Sequence, residues 1–179
     1  MKITKQLRTE TGHRLVNYDG RCAHLHGHSY LWEVTAQSST GLDDKNMVMD
    51  FKDLKKAMHA ALDPLDHALL LAPTDPLWAL AEAYVPIHRQ AHALEGGLQI
   101  LDVLLRATNG DAPRLIKWHD NPTAESMALW ALKEIQIALC DAYAPADSLR
   151  RKLMPYFISR VRVWETATSF AEATSGDLA

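Results

Sequence analysis

His26-Gly27-His28 is the stretch of this sequence richest in chemistry. On an extended strand, residues two apart point to the same side, so the two imidazoles emerge together, and the glycine between them permits close approach of backbone. Such a pair is a natural two-ligand edge for a metal ion. A third histidine, His13, comes alongside if its own strand and the next pair as an antiparallel hairpin across residues 14–25. Three histidines with a fourth position open form the ligand set of catalytic zinc, whereas structural zinc closes with four protein ligands. An HxH pair alone is more often an accident of a strand. Here four of the nine histidines (His13, His24, His26 and His28) fall within sixteen residues, which weighs against accident. His24 precedes the strand in a loop and is given no role.

Cys22 stands four and six residues before the pair, beside Arg21. Neighbouring positive charge favours a reactive cysteine. A fourth zinc ligand or an inert thiol fits the same spacing. Cys140, late in a helix among apolar neighbours, reads as core. Asp66-His67 can orient an imidazole or share a proton, although adjacent side chains diverge in most backbones. Glu165, after Trp164, could accept paired N–H donors from a guanidine-like ligand edge or be a solvated strand-end charge. Thr123 and Glu125 suit the first turn of a helix.

The elements that must position these residues follow from periodicity. Residues 3–13 carry β-branched side chains in loose alternation, and residues 26–36 put His26, His28, Tyr30, Trp32, Val34 and Ala36 on one side of a second strand. Asp50 and Asp53 open an amphipathic helix with Phe51, Leu54, Met58, Ala61 and Leu62 at helical spacing, closed by Pro64. A longer helix is expected from Pro122 to Tyr143, with Asn121 as N-cap and Pro122 at the first helical position. Residues 158–166 alternate again, with Ile158, Arg160, Arg162, Trp164 and Thr166 on one side. The segment from about 71 to 118 reads as an inserted pair of helices, Leu77–Val85 and Ile87–Ala107, and residues 174–179 as a frayed tail.

With 179 residues and 47% hydrophobic content, the chain is expected to form a single domain, 1–179, carrying that insertion. A net charge of −3 offers no global basic surface, which disfavours a nucleic-acid binder. No apolar run approaches the roughly 20 residues of a membrane helix, and the first ten residues lack a signal-like apolar segment, so a soluble, cytoplasmic protein is expected. Two cysteines are not a disulfide framework.

Six blocks in order carry a resemblance. They are His13-Arg14-Leu15; Cys22 with Leu25-His26-Gly27-His28-Ser29-Tyr30; residues 47–55 from Met47 to Lys55; Leu65-Asp66-His67; Asn121-Pro122-Thr123-Ala124-Glu125; and Trp164-Glu165-Thr166 with Thr168-Ser169. Together they resemble the 6-pyruvoyl-tetrahydropterin synthase / 6-carboxytetrahydropterin synthase family. The resemblance implies an α+β tunnelling fold (T-fold): a four-stranded antiparallel sheet with two long helices on one face, associating as a homohexamer, a dimer of trimers. It implies that His13, His26 and His28 bind Zn2+, that Cys22 is the catalytic thiolate, and that Asp66 and His67 complete the proton-transfer set. Glu165 would anchor the pterin's pyrimidine edge, and Thr123 and Glu125 would lie near the pterin pocket. The implied reaction converts 7,8-dihydroneopterin triphosphate to 6-carboxy-5,6,7,8-tetrahydropterin, releasing acetaldehyde and triphosphate on the path to 7-deazapurines such as queuosine. The alternatives are a 6-pyruvoyl product, or a non-catalytic, zinc-stabilised pterin-binding or scaffold protein. The sequence departs from the family pattern at Leu71 and Ser126, where asparagine is usual, and at Ala173, where tyrosine is frequent.

Overall fold

Alternation along the first forty residues builds the two long strands β1 (Lys2–His13) and β2 (His26–Ser38). The computed structural model describes residues 1–78, 114–143 and 154–178. Tyr30, Trp32, Val34 and Ala36 of β2 are all buried, as their shared parity requires. With β3 (Ala68–Leu71), β4 (Leu115–Lys117), β5 (Tyr156–Trp164) and β6 (Phe170–Thr174), the sheet runs in the order β4-β3-β1-β2-β5-β6. It therefore has six strands and is mixed, β3 and β4 being parallel, where four antiparallel strands were expected. Two physical features hid the extra strands. Ala68-Leu69-Leu70-Leu71 is a continuous apolar run without alternation, and β4 and β6 are too short to display a period.

The chain divides into two compact units, one of Met1–Thr11, Gly27–His67 and Thr123–Ala179, the other of Gly12–His26 and Ala68–Pro122. In the first, α1 (Phe51–Leu62) starts where expected, with Asp50 accepting the Lys52 N–H at 2.8 Å. The second helix, α2 (Ala124–Tyr143), packs on α1 and across β5 and β6. Leu54, Met58 and Leu62 of α1 are fully buried, as are Met127, Leu132, Ile135 and Leu139 of α2. Each such side chain contributes roughly 1.5–3 kcal/mol by leaving water. Cys140 is half-buried rather than core, and its Sγ accepts from Gln136 Nε2 at 3.2 Å. Burial and the hydrogen bond to Asp53, at 2.7 Å, push the Tyr143 phenol well above its ordinary range, so it remains a donor tying the end of α2 to the start of α1.

β5 pairs antiparallel with β2, and the register shifts between Thr35 and Ala36, which face Arg160 and Ile158. The extra residue, Ser159, forms a bulge that turns Ile158 to the buried side with Val161 and Val163, away from the arginines with which strict alternation grouped it. Residues 175–178, expected to belong to a frayed tail, form a short 3-10 turn, Ser175–Leu178, which Asp177 fixes by accepting from both Thr174 N (2.7 Å) and Thr174 Oγ1 (2.8 Å). Among the described residues, no helix is long and apolar enough to cross a membrane.

In the second unit, Leu69, Leu70 and Leu71 lie opposite Leu115, Ile116 and Lys117. The ends of the 71–118 segment, outside the two helices expected within it, are thus strand. Of its two expected helices, only the turn at residues 76–78 falls within the described residues; the rest lies outside them. Asp75, buried, starts that turn by accepting the Leu77 N–H at 2.8 Å. The same carboxylate receives Arg14 through Nε and an NH2 nitrogen, both at 2.7 Å, and this pairing raises the guanidinium's proton affinity. Asp75→Ala removes a cap and leaves Arg14 without its buried partner, so a loss of about 3 kcal/mol is expected, the low end for a broken buried pair because Arg14 reaches water in part. Urea denaturation measures it. A loss under about 1 kcal/mol would mean that the pair behaves as a surface contact.

Candidate metal centre and active site

β1 ends and β2 begins with a histidine. His13 is buried and its Nδ1 lies 2.7 Å from the Pro122 carbonyl oxygen; His26 Nδ1 lies 2.7 Å from the His24 carbonyl oxygen. A carbonyl only accepts, so each Nδ1 carries a proton, and in the neutral ring the lone pair is then on Nε2. Metal-bound histidines are oriented in this way, by a carbonyl on the far nitrogen. The two rings are 4.5 Å apart between centroids. His28, two residues along β2, completes a group in which one ring nitrogen from each residue lies within 4.8 Å of the others. Among the described residues this is the group able to hold a metal, and Cys22 is not part of it.

Cys22 is a free, half-buried thiol in a 3-10 turn, Arg21–Ala23, and its carbonyl accepts the Leu15 N–H at 2.8 Å, two residues on from His13. His24, assigned no role in the sequence, acts through its backbone oxygen. No residue type advertises a carbonyl, so sequence reasoning could not have found it.

Asp66 and His67 are held against β1. The Glu10 N–H donates to Asp66 Oδ1 at 2.8 Å, and the His67 N–H donates to the Glu10 carbonyl at 2.7 Å. His67 adopts φ 53°, a left-handed conformation uncommon for a residue with a Cβ. In this conformation the adjacent side chains do not diverge, and His67 Nε2 lies 3.8 Å from Asp66 Oδ2. A buried chain of hydrogen bonds braces the turn: Trp32 Nε1 donates to Thr9 Oγ1 (2.9 Å), Thr9 and Thr11 hydroxyls meet at 3.0 Å, and Thr11 Oγ1 donates to the Leu65 carbonyl (2.9 Å). Because the Leu65 carbonyl only accepts, it takes the single Thr11 hydroxyl proton, so Thr9 donates to Thr11 and the chain runs in one direction, from Trp32 to the residue before Asp66. Thr9 and Thr11 were not singled out in the sequence; two threonines at i, i+2 in a strand carry no signal beyond β propensity.

Glu165 lies just past β5, in the turn to β6, with its N–H donating to the Ser169 carbonyl at 3.1 Å. Its Oε1 accepts from the Tyr30 hydroxyl at 3.3 Å and sits 3.6 Å from His28 Nε2. Thr123 and Glu125 serve the start of α2. Thr123 Oγ1 accepts the Ser126 N–H at 3.2 Å, and Glu125 is exposed in the first turn. The N-cap is therefore Thr123, not Asn121. Asn121 is drawn away by Val16, with which it exchanges two hydrogen bonds. At the departures from the family pattern, Leu71 is buried in β3, Ser126 donates to the Thr123 carbonyl at 3.1 Å, and Ala173 is buried in β6 opposite Val161.

Strand-borne histidines with tied Nδ1 atoms, in an α+β fold of a six-stranded sheet and two long helices, define a protein class with a three-histidine candidate metal centre. The chain belongs to the 6-pyruvoyl tetrahydropterin synthase family, whose model matches residues 2–175. It is 38% identical over 174 residues to the 6-carboxy-5,6,7,8-tetrahydropterin synthase of Haemophilus influenzae, covering 96% of each chain. It is 28% identical over 190 residues to the enzyme of the same name from Aquifex aeolicus, again covering 96% of each. The 6-pyruvoyl tetrahydropterin synthase structure of Caenorhabditis elegans shares the fold, with a TM-score of 0.56 at 16% identity, covering 98% of this chain and 95% of that one. The chain is thus an enzyme with a T-fold, a 6-carboxytetrahydropterin synthase-like lyase.

Proposed function

We propose that this enzyme is a zinc-dependent lyase that converts 7,8-dihydroneopterin triphosphate and one water to 6-carboxy-5,6,7,8-tetrahydropterin, acetaldehyde and triphosphate, on the route to 7-deazapurines such as queuosine. The observation that carries the reading is the histidine group, in which His13 and His26 donate Nδ1–H to carbonyls and keep Nε2 for a metal. Three neutral imidazoles suit zinc and leave a coordination position for substrate. When bound, zinc would act as a Lewis acid on side-chain oxygens of the substrate, making adjacent C–H and O–H groups more acidic.

The remaining residues divide the work. Cys22, a free thiol outside the histidine group, takes and returns a proton beside the substrate's side chain. Asp66 and His67, turned toward each other by the left-handed backbone, form the second proton-transfer pair. Removal of a proton next to the C–O bond of the phosphate ester lets triphosphate leave. Glu165 anchors the pterin, with Tyr30 fixing the rotation of its carboxylate. Thr123 and Glu125 border the pocket from the first turn of α2. Among the described residues β4 and β6 end the sheet, and their edges suit the association of copies into a homohexamer, a dimer of trimers.

Glu165→Gln separates the ligand from the metal. A pterin presents an amino group and a ring N–H side by side, and a carboxylate meets both with charge-assisted bonds; the amide replaces one acceptor by a donor. The variant is expected to keep zinc and its assembled mass while binding a dihydropterin about 1–3 kcal/mol more weakly, roughly ten- to a hundredfold. Calorimetry reads the change. Unchanged affinity would remove the pterin-anchor role and leave the metal centre standing.

A further inference from the structure

Between β4 and α2, the chain passes close to the strand end that carries His13. Asn121 Oδ1 accepts the Val16 N–H at 2.9 Å and Asn121 Nδ2 donates to the Val16 carbonyl at 3.0 Å. One side chain thus satisfies both backbone groups of Val16, as a paired strand would. The next carbonyl, that of Pro122, is the one that receives His13 Nδ1–H. Proline's ring fixes φ, which removes one of the backbone torsions between the anchored Asn121 and the Pro122 carbonyl. The contacts close a ring: His13, three residues of chain to Val16, the Asn121 side chain, Pro122, and back to the His13 imidazole.

We propose that Asn121 is a positioning residue for the metal ligand His13, holding the Pro122 carbonyl where it fixes the imidazole's tautomer and direction. The inference rests on the reading of His13 as a metal ligand. Asparagine is the residue type this position needs. It carries one acceptor and two donors on a short stem, whereas aspartate has no donor and alanine has neither. The other contacts of residues 13–16 do not depend on it: Arg14 is held by Asp75, and the Leu15 N–H by the Cys22 carbonyl. Loss of the carboxamide therefore frees the Pro122 carbonyl while residues 14 and 15 stay fastened.

Chelator competition on the full chain gives the zinc dissociation constant for the unaltered protein, Asn121→Ala, His13→Ala and the double variant. Asn121→Ala is expected to weaken zinc binding about ten- to a hundredfold, the usual effect of removing a support for a metal-bound histidine. In the His13→Ala background the same change is expected to have no further effect, because its route to the metal is already gone. Asn121→Asp is expected to weaken binding in the same direction but less, since it keeps the bond to the Val16 N–H, and it serves where the alanine variant fails to fold. Zinc affinity unchanged in a folded Asn121 variant, or an equal drop with and without His13, overturns the proposal while leaving the metal reading intact. Absence of zinc binding by the unaltered protein overturns both.

Discussion

Replacing His26 or His28 with alanine is expected to leave the protein folded and nearly empty of zinc after dialysis. Each change removes one of the three proposed ligands, and two imidazoles do not complete a catalytic zinc site. The loss of affinity should exceed the roughly 10–100-fold that removal of a mere supporting partner costs. His26 and His28 sit near the start of β2, outside the buried stretch of Tyr30, Trp32, Val34 and Ala36, so the core does not depend on them. Acid is expected to release the metal as well, because ligation requires neutral imidazole. Metal analysis by atomic emission decides the matter, and full zinc occupancy in both variants would refute the ligand assignment.

Cys22→Ala is expected to do the reverse, keeping zinc while turnover falls by roughly 10²- to 10⁴-fold, the range attributed to a positioned proton-transfer group. The thiol lies in its own 3-10 turn, and the hydrogen bond that ties this turn to Leu15 uses the backbone carbonyl, which alanine retains. Geometry near His13 should therefore survive. Single-turnover measurement of triphosphate release, together with metal analysis, distinguishes the outcomes. Loss of metal on this substitution would place Cys22 among the ligands and make the site structural.

The strands that bear the histidines were legible because burial on one face imposes a period of two. From Tyr30 to Ala36 the buried hydrophobic side chains follow the parity read from His26 and His28, and Thr35 is the buried exception on the other face. What escaped depends on contacts distant in the chain or on backbone atoms. Asn121-Pro122 satisfies the local rule for a cap followed by the first helical residue, yet its carboxamide is used by Val16, and Thr123 caps instead. The Ser159 bulge reverses the parity of Ile158 through a register shift that no alternation displays. Glu165 was singled out by residue type, but its setting required the β5–β6 turn and the Tyr30 hydroxyl. The carbonyls of His24 and Pro122 fix two imidazoles without any residue-type signature. The direction of the Asp66–His67 pair depends on a positive φ in a non-glycine residue, stabilised by Glu10 and, behind it, by Thr9 and Thr11.

The most direct measurement is incubation of the zinc-loaded protein with 7,8-dihydroneopterin triphosphate, with all products identified by mass spectrometry and acetaldehyde trapped as its hydrazone. The proposed function predicts 6-carboxy-5,6,7,8-tetrahydropterin, acetaldehyde and triphosphate in equal amounts. Release of triphosphate with a 6-pyruvoyl product and no acetaldehyde would contradict the carboxy-forming assignment, and absence of any reaction in zinc-replete protein would contradict the proposed lyase reaction itself.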